Sequence, residues 1–498
     1  MELNAEACYR AVLARDERHD GRFFTCVRTT QIYCRPVCPA VPPKRENCWF
    51  ASLAAAAQEA GYRPCLRCRP EKAPQFWNEG ATQVVAQGLR WIEEGALDVE
   101  NVAALAERLG IGERQLRRLF QQELGASPIA VAQTRRVLLA LQLLQQTNLS
   151  MIDVALAAGF QSLRRFNEAF QKLYDRPPAK LRRQHRQAAG PGSQLSLSLP
   201  YRPPYDWPSI LRFLEQRAIT GVEQVEGASY ARAIELDGAV GTLHVADAPD
   251  EAALQVTIRF PQLKSLPQII ARIRRMFDLN ADIGAIGGVL SQDPRLAPLI
   301  EARPGLRIPG AWDGFEIAVR AILGQQITVQ AARSLASRLV SKLGVPLEGE
   351  GPAGLTHRFP PPERFDQQTI ESLGMPRARA AAIVDLATRL SAEPQLLETI
   401  GQRANAIEAL CELRGIGPWT AHYIAMRVLR DSDAFLAADV GLQRVMAVDG
   451  VRPTAKRLLA WAENWRPWRA YAVMHLWTSE SSSLESSHPQ EVPNATAT

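Results

Sequence analysis

Four cysteines near the N-terminus of this 498-residue chain fall into two closely spaced pairs. Three residues separate Cys34 from Cys38, two separate Cys65 from Cys68, and 26 lie between the pairs. Two such pairs can close a tetrahedral site around one Zn²⁺, because each pair binds the metal from a single turn. A metal also keeps sulfur as the thiolate at neutral pH, which is the nucleophilic form. The spacing therefore predicts one zinc ion held by four cysteines; the alternatives are a purely structural zinc or four unligated thiols.

A Gly-x-Gly turn between two helical segments, at Gly415 to Gly417, is the second candidate site. Such a hairpin packs two helices together and directs backbone N–H groups at the start of the second helix towards a phosphate. Half of the ten tryptophans follow residue 418. They are Trp419, Trp461, Trp465, Trp468 and Trp477. The middle three have a spacing that more often marks a core face.

Positive charge is concentrated in one stretch of the chain. The formal net charge is +6, yet residues 101–186 alone carry 14 Lys+Arg against 6 Asp+Glu, whereas residues 1–100 are neutral. A compact basic segment is the electrostatic footprint of nucleic-acid binding, and a solvated basic helical surface is the alternative. The composition, 46% hydrophobic and 22% charged, excludes a collagen-like or wholly disordered chain.

Two helix-turn-helix patterns occupy the basic stretch. In the first, an apolar face over 102–109 leads through a glycine turn to a helix over 113–120; the second begins at 152–156. A long helix over about 128–146 joins them. Arginines point outward on the second helix of each unit and are candidates for phosphate or base-edge contacts, although about half could be solvated only. These arginines are Arg114, Arg117, Arg118, Arg164 and Arg165.

The composition divides the chain into successive segments. We predict a zinc domain at 1–78, a helix-turn-helix domain at 79–186, a linker at 187–200, a mixed α/β domain at 201–280, a helical domain at 281–478 and a disordered tail at 479–498. The expected fold class is multidomain α+β, mainly α. No apolar run approaches the ~18 residues that a membrane-spanning helix needs, and no export signal is visible, so a cytoplasmic protein with no membrane partner is expected.

The sequence around the four cysteines resembles the N-terminal domain of the bacterial Ada family over about residues 8–75. The motifs that carry the resemblance lie at 27–38, 45–47 and 61–68. In that family the zinc-bound cysteine that matches Cys34 accepts a methyl group from a DNA methylphosphotriester, once and without turnover. Four thiolates on Zn²⁺ carry a formal charge of −2, and one methylation reduces it to −1. Since phosphate repels negative charge, we expect methyl uptake to strengthen DNA binding and to act as a switch.

The two helix-turn-helix units joined by a long helix resemble the AraC/XylS regulator domain, which also follows the zinc domain in the Ada family. The turns at 125–128 and 175–178 match those that follow the helices in that family. The resemblance implies promoter DNA as a partner, and RNA polymerase when the protein acts as an activator.

From residue 201 to about 478 the chain resembles 3-methyladenine DNA glycosylase II, the AlkA family of helix–hairpin–helix glycosylases. The matching motifs lie at 201–207, 277–279, 303–307, 320–326, 435–439 and 465–469. The resemblance implies that Asp439 is the catalytic acid, because breaking an N-glycosidic bond builds positive charge on the sugar and a fixed carboxylate stabilises it. It also implies that Trp419, Tyr423 and Trp477 line the pocket for a flipped base. The alternative for Asp439 is a helix N-cap before Val440.

Two positions depart from the AlkA pattern. Gln326 stands where the residue that fills the gap left by the flipped base is apolar, and Ala437-Ala438 replaces a Pro-Asp approach to the acid. Gln326, Gly415 and Gly417 are expected to contact DNA. Bifunctional relatives carry a lysine just after the hairpin, but Trp419 follows Pro418 here, so hydrolysis that leaves an abasic site is expected.

Together these segments predict an Ada–AlkA fusion that responds to alkylation damage and excises alkylated purines such as 3-methyladenine from double-stranded DNA. A monomer is expected. Two alternatives stay open: a transcription regulator whose glycosylase block only binds DNA, and a glycosylase tethered to DNA by a structural zinc module. Cys411 is the only cysteine after Cys68 and lies outside a Pro-Cys-His-Arg motif, so repair of O6-methylguanine is not expected.

Overall fold

The computed structural model describes residues 3–74, 82–182, 194–348, 354–403 and 405–486. The chain divides into two compact units. The first comprises Met1–Arg202, Ala218–Ala281 and Leu343–Pro360, and the second comprises Pro203–Arg217, Asp282–Lys342 and Pro361–Thr498. Among the described residues, no helix is long and apolar enough to cross a membrane. The mainly α, multidomain α+β class is confirmed.

The N-terminal part of the first unit is a small sheet flanked by helices. Its elements are α1 Ala5–Ala14, β1 Phe24–Val27, β2 Ile32–Cys34, β3 Cys48–Ala51, α2 Ala54–Glu59 and β4 Arg63–Pro64. The strand order is β3-β1-β2-β4, and β4 runs parallel to β2 whereas the other pairs are antiparallel. Cys8, Cys26 and Cys48, which fit neither metal-binding pair, are buried in its core. The predicted boundary at 78/79 lies outside the described residues.

Seven helices follow in the described part of this region. They are α3 Gln83–Glu93, α4 Ala96–Val99, α5 Val102–Arg108, α6 Glu113–Leu124, α7 Pro128–Gln146, α8 Met151–Ala157 and α9 Leu163–Tyr174. The pairs α5–α6 and α8–α9 are the two predicted helix-turn-helix units, and α7 joins them. Leu116, Phe120 and Leu124 lie four residues apart on α6 and are buried. The opposite face of the helix is therefore turned towards solvent.

A five-stranded antiparallel sheet also belongs to the first unit. Its elements are β5 Gln194–Pro200, β6 Glu223–Glu226, β7 Ser229–Leu236, β8 Ala239–Ala248, β9 Ala253–Arg259 and the helix α11 Leu266–Met276. The order is β5-β9-β8-β7-β6. The intervening helix α10, Trp207–Glu215, belongs to the second unit, so the block at 201–280 is not one contiguous body.

The predicted linker at 187–200 is wrong over its second half. Residues 194–200 form β5 and pair with β9, while 187–193 lie outside the described residues. The serines suggested a linker, but Leu195, Leu197 and Leu199 alternate with them and are all buried. This period of two is that of a strand with one face on a core.

The described residues of the second unit are mainly helical. Its remaining helices are α12 Ile283–Leu290, α13 Ala297–Ala302, α14 Gly314–Leu323, α15 Val329–Leu343, α16 Gln367–Glu371, α17 Arg377–Ala392, α18 Leu396–Gly401, α19 Ala406–Cys411, α20 Pro418–Ile424, α21 Val440–Val445, α22 Ala455–Ala462 and α23 Arg469–Ser486. Two short strands, β10 Val345–Pro346 and β11 His357–Arg358, pair within the first unit. Trp465 is fully buried and donates its indole N–H to Asp293 at 2.7 Å, in keeping with a core position.

The predicted disordered tail begins too early. The helix α23 continues past residue 479 to Ser486, and only residues 487–498 of that segment lie outside the described residues. The serine-rich composition suggested disorder, but Glu480 pairs with Arg444 of α21, which gives this end of the helix a partner.

Candidate zinc centre and candidate glycosylase site

Strand pairing brings the four predicted metal ligands together. Because β4 runs parallel to β2, Cys65 lies beside Cys34, and the Cys65 N–H donates to the carbonyl of Tyr33 at 3.0 Å. The four Sγ atoms all lie within 4.8 Å of one another. A tetrahedral site with Zn–S bonds of ~2.3 Å places sulfurs roughly 3.8 Å apart, so this donor set fits one zinc ion.

Arg35 connects the sulfur cluster to its surroundings. Its backbone N–H donates to Sγ of Cys68 at 3.3 Å, and its guanidinium donates to the Cys68 carbonyl at 3.1 Å. The Arg35 Nε also donates to the buried carboxylate of Asp20 at 2.9 Å. Cys65 and Cys68 are buried, whereas Cys34 is only half-buried. Cys38 is half-buried as well, so the first pair is more accessible than the second.

The five predicted DNA-contacting arginines are all exposed on the second helix of their units. On α6, Arg114, Arg117 and Arg118 lie opposite the buried face, at the i, i+3 and i+4 spacing of one helical stripe. Arg117 pairs with Glu113 at 2.6 Å, and on α9 Arg164 pairs with Glu168 at 2.8 Å. These exposed pairs are weak, so phosphate can compete for both guanidinium groups.

Asp439 is the N-cap of α21, and its carboxylate also accepts two indole N–H groups. Oδ1 accepts the backbone N–H of Leu442 at 3.0 Å. Oδ2 accepts Trp419 Nε1 at 2.8 Å, and Oδ1 accepts Trp477 Nε1 at 3.1 Å. Both oxygens are thus oriented by donors from three helices. The capping alternative describes part of this geometry, but a cap needs neither indole.

The aromatic residues predicted from the resemblance meet around this carboxylate. Tyr423 stacks on Trp419 with ring centroids 5.4 Å apart and planes 11° from parallel, and it lies 6.3 Å from the ring of Trp477. Trp419 and Tyr423 are one turn apart on α20, whereas Trp477 comes from α23. The three aromatic side chains are half-buried and therefore partly open to solvent.

Three arginines near Tyr423 were not identified from the sequence. Arg427 donates to the Tyr423 hydroxyl at 2.7 Å. Burial acts to raise the pKa of Tyr423, but the guanidinium groups of Arg427, Arg217 and Arg320 outweigh it and leave the pKa below its ordinary value. Arg320 lies in a motif that carries the resemblance, but Arg217 and Arg427 lie outside those motifs and give no signal of their own.

The Gly-x-Gly hairpin lies beside the turn that carries Gln326. Gln325 Nε2 donates to the Gly415 carbonyl at 2.8 Å and to Thr420 Oγ1 at 3.0 Å. Gln326 has a left-handed φ of 58° and is exposed. Gly417 is the N-cap of α20 and Pro418 its first residue. The structure thus brings the turn with Gln326 next to the hairpin of Gly415 and Gly417. The contact is made by Gln325, which sequence reasoning did not single out.

Family models match four successive parts of the chain. They are the metal binding domain of Ada at 7–71, a helix-turn-helix domain at 105–184, the AlkA N-terminal domain at 196–313 and the HhH-GPD superfamily of base excision DNA repair proteins at 319–469.

Similar proteins cover the chain both in full and in part. A Mycobacterium tuberculosis protein named probable bifunctional transcriptional activator/DNA repair enzyme AlkA is 39% identical over 497 residues, 99% of each chain. DNA-3-methyladenine glycosylase 2 of Escherichia coli is 36% identical over 57% of this chain and 97% of its own. The fold of a 3-methyladenine DNA-glycosylase from Archaeoglobus fulgidus matches with a TM-score of 0.51 at 21% identity, over 57% of this chain and 98% of that one. With a relative of this identity along its whole length, the chain belongs to the family of bifunctional transcriptional activator/DNA repair enzymes AlkA.

Proposed function

We propose that this protein repairs and senses alkylated DNA at two separate sites. At the first, Cys34 accepts a methyl group from a DNA methylphosphotriester; at the second, Asp439 directs hydrolysis of the N-glycosidic bond of an alkylated purine. The observation that carries the proposal is the carboxylate of Asp439, held by two indoles beside a stacked pair of aromatic rings.

At the glycosylase site, the geometry suits removal of an electron-poor base. The rings of Trp419 and Tyr423 offer electron-rich faces that attract a cationic alkylpurine. The fixed carboxylate of Asp439 faces the positive charge that develops on the sugar and orients the attacking water. A bond forms between the water oxygen and C1′ while the bond to the base breaks, and the electron pair of the broken bond neutralises the cationic base. The water proton passes to the carboxylate of Asp439, and the products are an abasic site and the free base.

At the sensor site, Cys34, Cys38, Cys65 and Cys68 would hold the zinc ion. Bound zinc supplies the chemistry that keeps these sulfurs as thiolates at neutral pH. Sγ of Cys34 forms a bond to the methyl carbon while the carbon–oxygen bond of the phosphotriester breaks, and the phosphate regains its negative charge. Arg35 holds Cys68 in place through two hydrogen bonds and leaves Cys34 accessible.

The switch follows from charge. Methyl uptake removes one negative charge from the sulfur cluster, which reduces its repulsion of DNA phosphates. The exposed arginines of α6 and α9 then bind promoter DNA. We further propose a cytoplasmic monomer that contacts RNA polymerase when it activates transcription.

The glycosylase proposal is tested by Asp439→Asn. We expect a loss of at least about 100-fold in the rate of 3-methyladenine release from methylated duplex DNA. Asp385→Asn, on the α17 surface and paired with Arg389, is the matched control and keeps full activity. Unchanged release in Asp439→Asn would assign the reaction to another group, and no release by the intact protein would favour the pure regulator.

The sensor proposal is tested by mass spectrometry of the zinc-loaded protein after exposure to methylphosphotriester DNA. One methyl group is expected on Cys34, and none is expected in Cys34→Ala. Cys411→Ala, far along the chain from the cluster, retains uptake. Induced transcription that persists in Cys34→Ala would instead favour the structural zinc tether.

A further inference from the structure

The edge of the five-stranded sheet is covered by a helix of the regulator segment. Strand β5 is an edge strand, and its Ser198 carbonyl accepts Gln142 Nε2 at 3.0 Å while its Ser198 N–H donates to Gln146 Oε1 at 3.0 Å. The two glutamines lie one turn apart on α7. They therefore satisfy the backbone of β5 much as a neighbouring strand would.

A second contact joins the same two parts through charge. Arg275, on α11 beside the sheet, pairs with Glu94, which follows directly after α3 of the regulator segment. Both side chains are largely covered, with 23% and 17% of their surfaces exposed. An ion pair in this setting is screened less by salt than a surface pair.

A third contact leads to the sulfur cluster. Arg202, two residues after β5, is buried and donates to the backbone carbonyl of Asp20 at 2.8 Å. The Asp20 carboxylate is in turn held by Arg35, which contacts Cys68 and directly follows Cys34. A continuous chain of hydrogen bonds therefore runs from the glycosylase sheet to the sensor.

We propose that the five-stranded sheet docks on α7 and on the loop at Asp20, and that Arg202 transmits the methylation state of Cys34 to this sheet. The coupling rests on the proposed sensor function. Arg35 lies between the sulfur cluster and Asp20 and interacts with both. Removal of one negative charge from the cluster therefore changes the balance between the attraction of Arg35 to the cluster and its ion pair with Asp20. The hydrogen bond from Arg202 to Asp20 then shifts, and the two sites become energetically coupled.

The docking is tested by hydrogen exchange of the Ser198 N–H in the full-length, zinc-loaded protein. This amide is a specific reporter because its partner is Gln146 and not another strand. Glu94→Arg and Arg275→Glu should each accelerate its exchange by about 10-fold or more, and the double variant should restore slow exchange. His244→Ala, at an exposed position of the strand β8 in the same sheet, is the control and changes nothing. Wild-type exchange in both single variants would overturn the docking.

The coupling is tested by repeating the measurement after methyl transfer from methylphosphotriester DNA, with uptake verified by mass. We expect Ser198 exchange to change by about 3-fold or more in the wild type, not in Arg202→Ala, and again in Arg202→Lys, which keeps a donor. No change in a fully methylated wild type, or an equal change in Arg202→Ala, would refute the coupling. If Cys34 takes up no methyl group, the sensor function fails and the coupling falls with it, while the charge-reversal variants still decide the docking.

Discussion

The indole N–H of Trp419 donates to Oδ2 of Asp439 at 2.8 Å, and this bond joins the hairpin helix α20 to the N-terminus of α21. Trp477 supplies a second indole donor to the other carboxylate oxygen. The resemblance to AlkA implied that both tryptophans line a base pocket. Their N–H groups give them the further task of orienting the carboxylate.

Replacing either tryptophan by phenylalanine should separate stacking from orientation. In Trp419→Phe and Trp477→Phe a ring remains while the donor is removed, so we expect kcat for base release to fall by about 10-fold with KM changed less than about 3-fold. Steady-state excision assays measure both constants. Trp461→Phe, outside the site, serves as control. Wild-type kcat in both variants would mean that the indole donors do not contribute.

The two glycines of the hairpin should respond differently to alanine. Gly415 has a φ of +74°, and an added Cβ would lie 2.4 Å from the Cβ of Ala382. We expect Gly415→Ala to cost roughly 1–3 kcal/mol in the free energy of unfolding. Gly417 has no atom within 4 Å of such a Cβ, so Gly417→Ala should cost less than about 1 kcal/mol. Denaturant unfolding compares the two, and equal losses would contradict the packing argument.

Acid should destabilise the helical unit through His475. Burial lowers the pKa of this histidine from 6.5 to about 4. The folded state therefore keeps the imidazole neutral, while the unfolded chain takes up a proton below pH 6.5. Stability is present above that pH and is lost as the pH falls towards 4, by at most roughly 3 kcal/mol. Melting temperatures across this range should decline less steeply in His475→Gln, and an identical slope would exclude His475 as the cause.

The stripe on α6 should set the salt dependence of promoter binding. In the variant with Arg114→Ala and Arg118→Ala, the slope of log K against log salt should become shallower by about one for each phosphate that is no longer neutralised. Titrations at several salt concentrations measure it. Arg389→Ala on α17 should leave the slope unchanged. A double variant with the wild-type slope would mean that these arginines are only solvated.

The sequence by itself determined the features that depend on local spacing. Two cysteine pairs predicted a metal site that β2 and β4 then assemble, and the periodicity at 102–120 predicted a helix-turn-helix pair whose helices form as expected. The prediction of a linker at 194–200 was wrong because it relied on the serine content and gave less weight to the alternation of the leucines.

Only the tertiary structure decided which distant groups meet. The indole donors to Asp439 come from 20 and 38 residues away, and the contact between Arg202 and Asp20 spans 182 residues. A single tryptophan or arginine is not part of a periodic sequence pattern, so the residues next to it in the sequence do not identify its contact partner. Its place is set by how whole helices and sheets pack to bury their apolar faces, and that packing is a property of the complete fold.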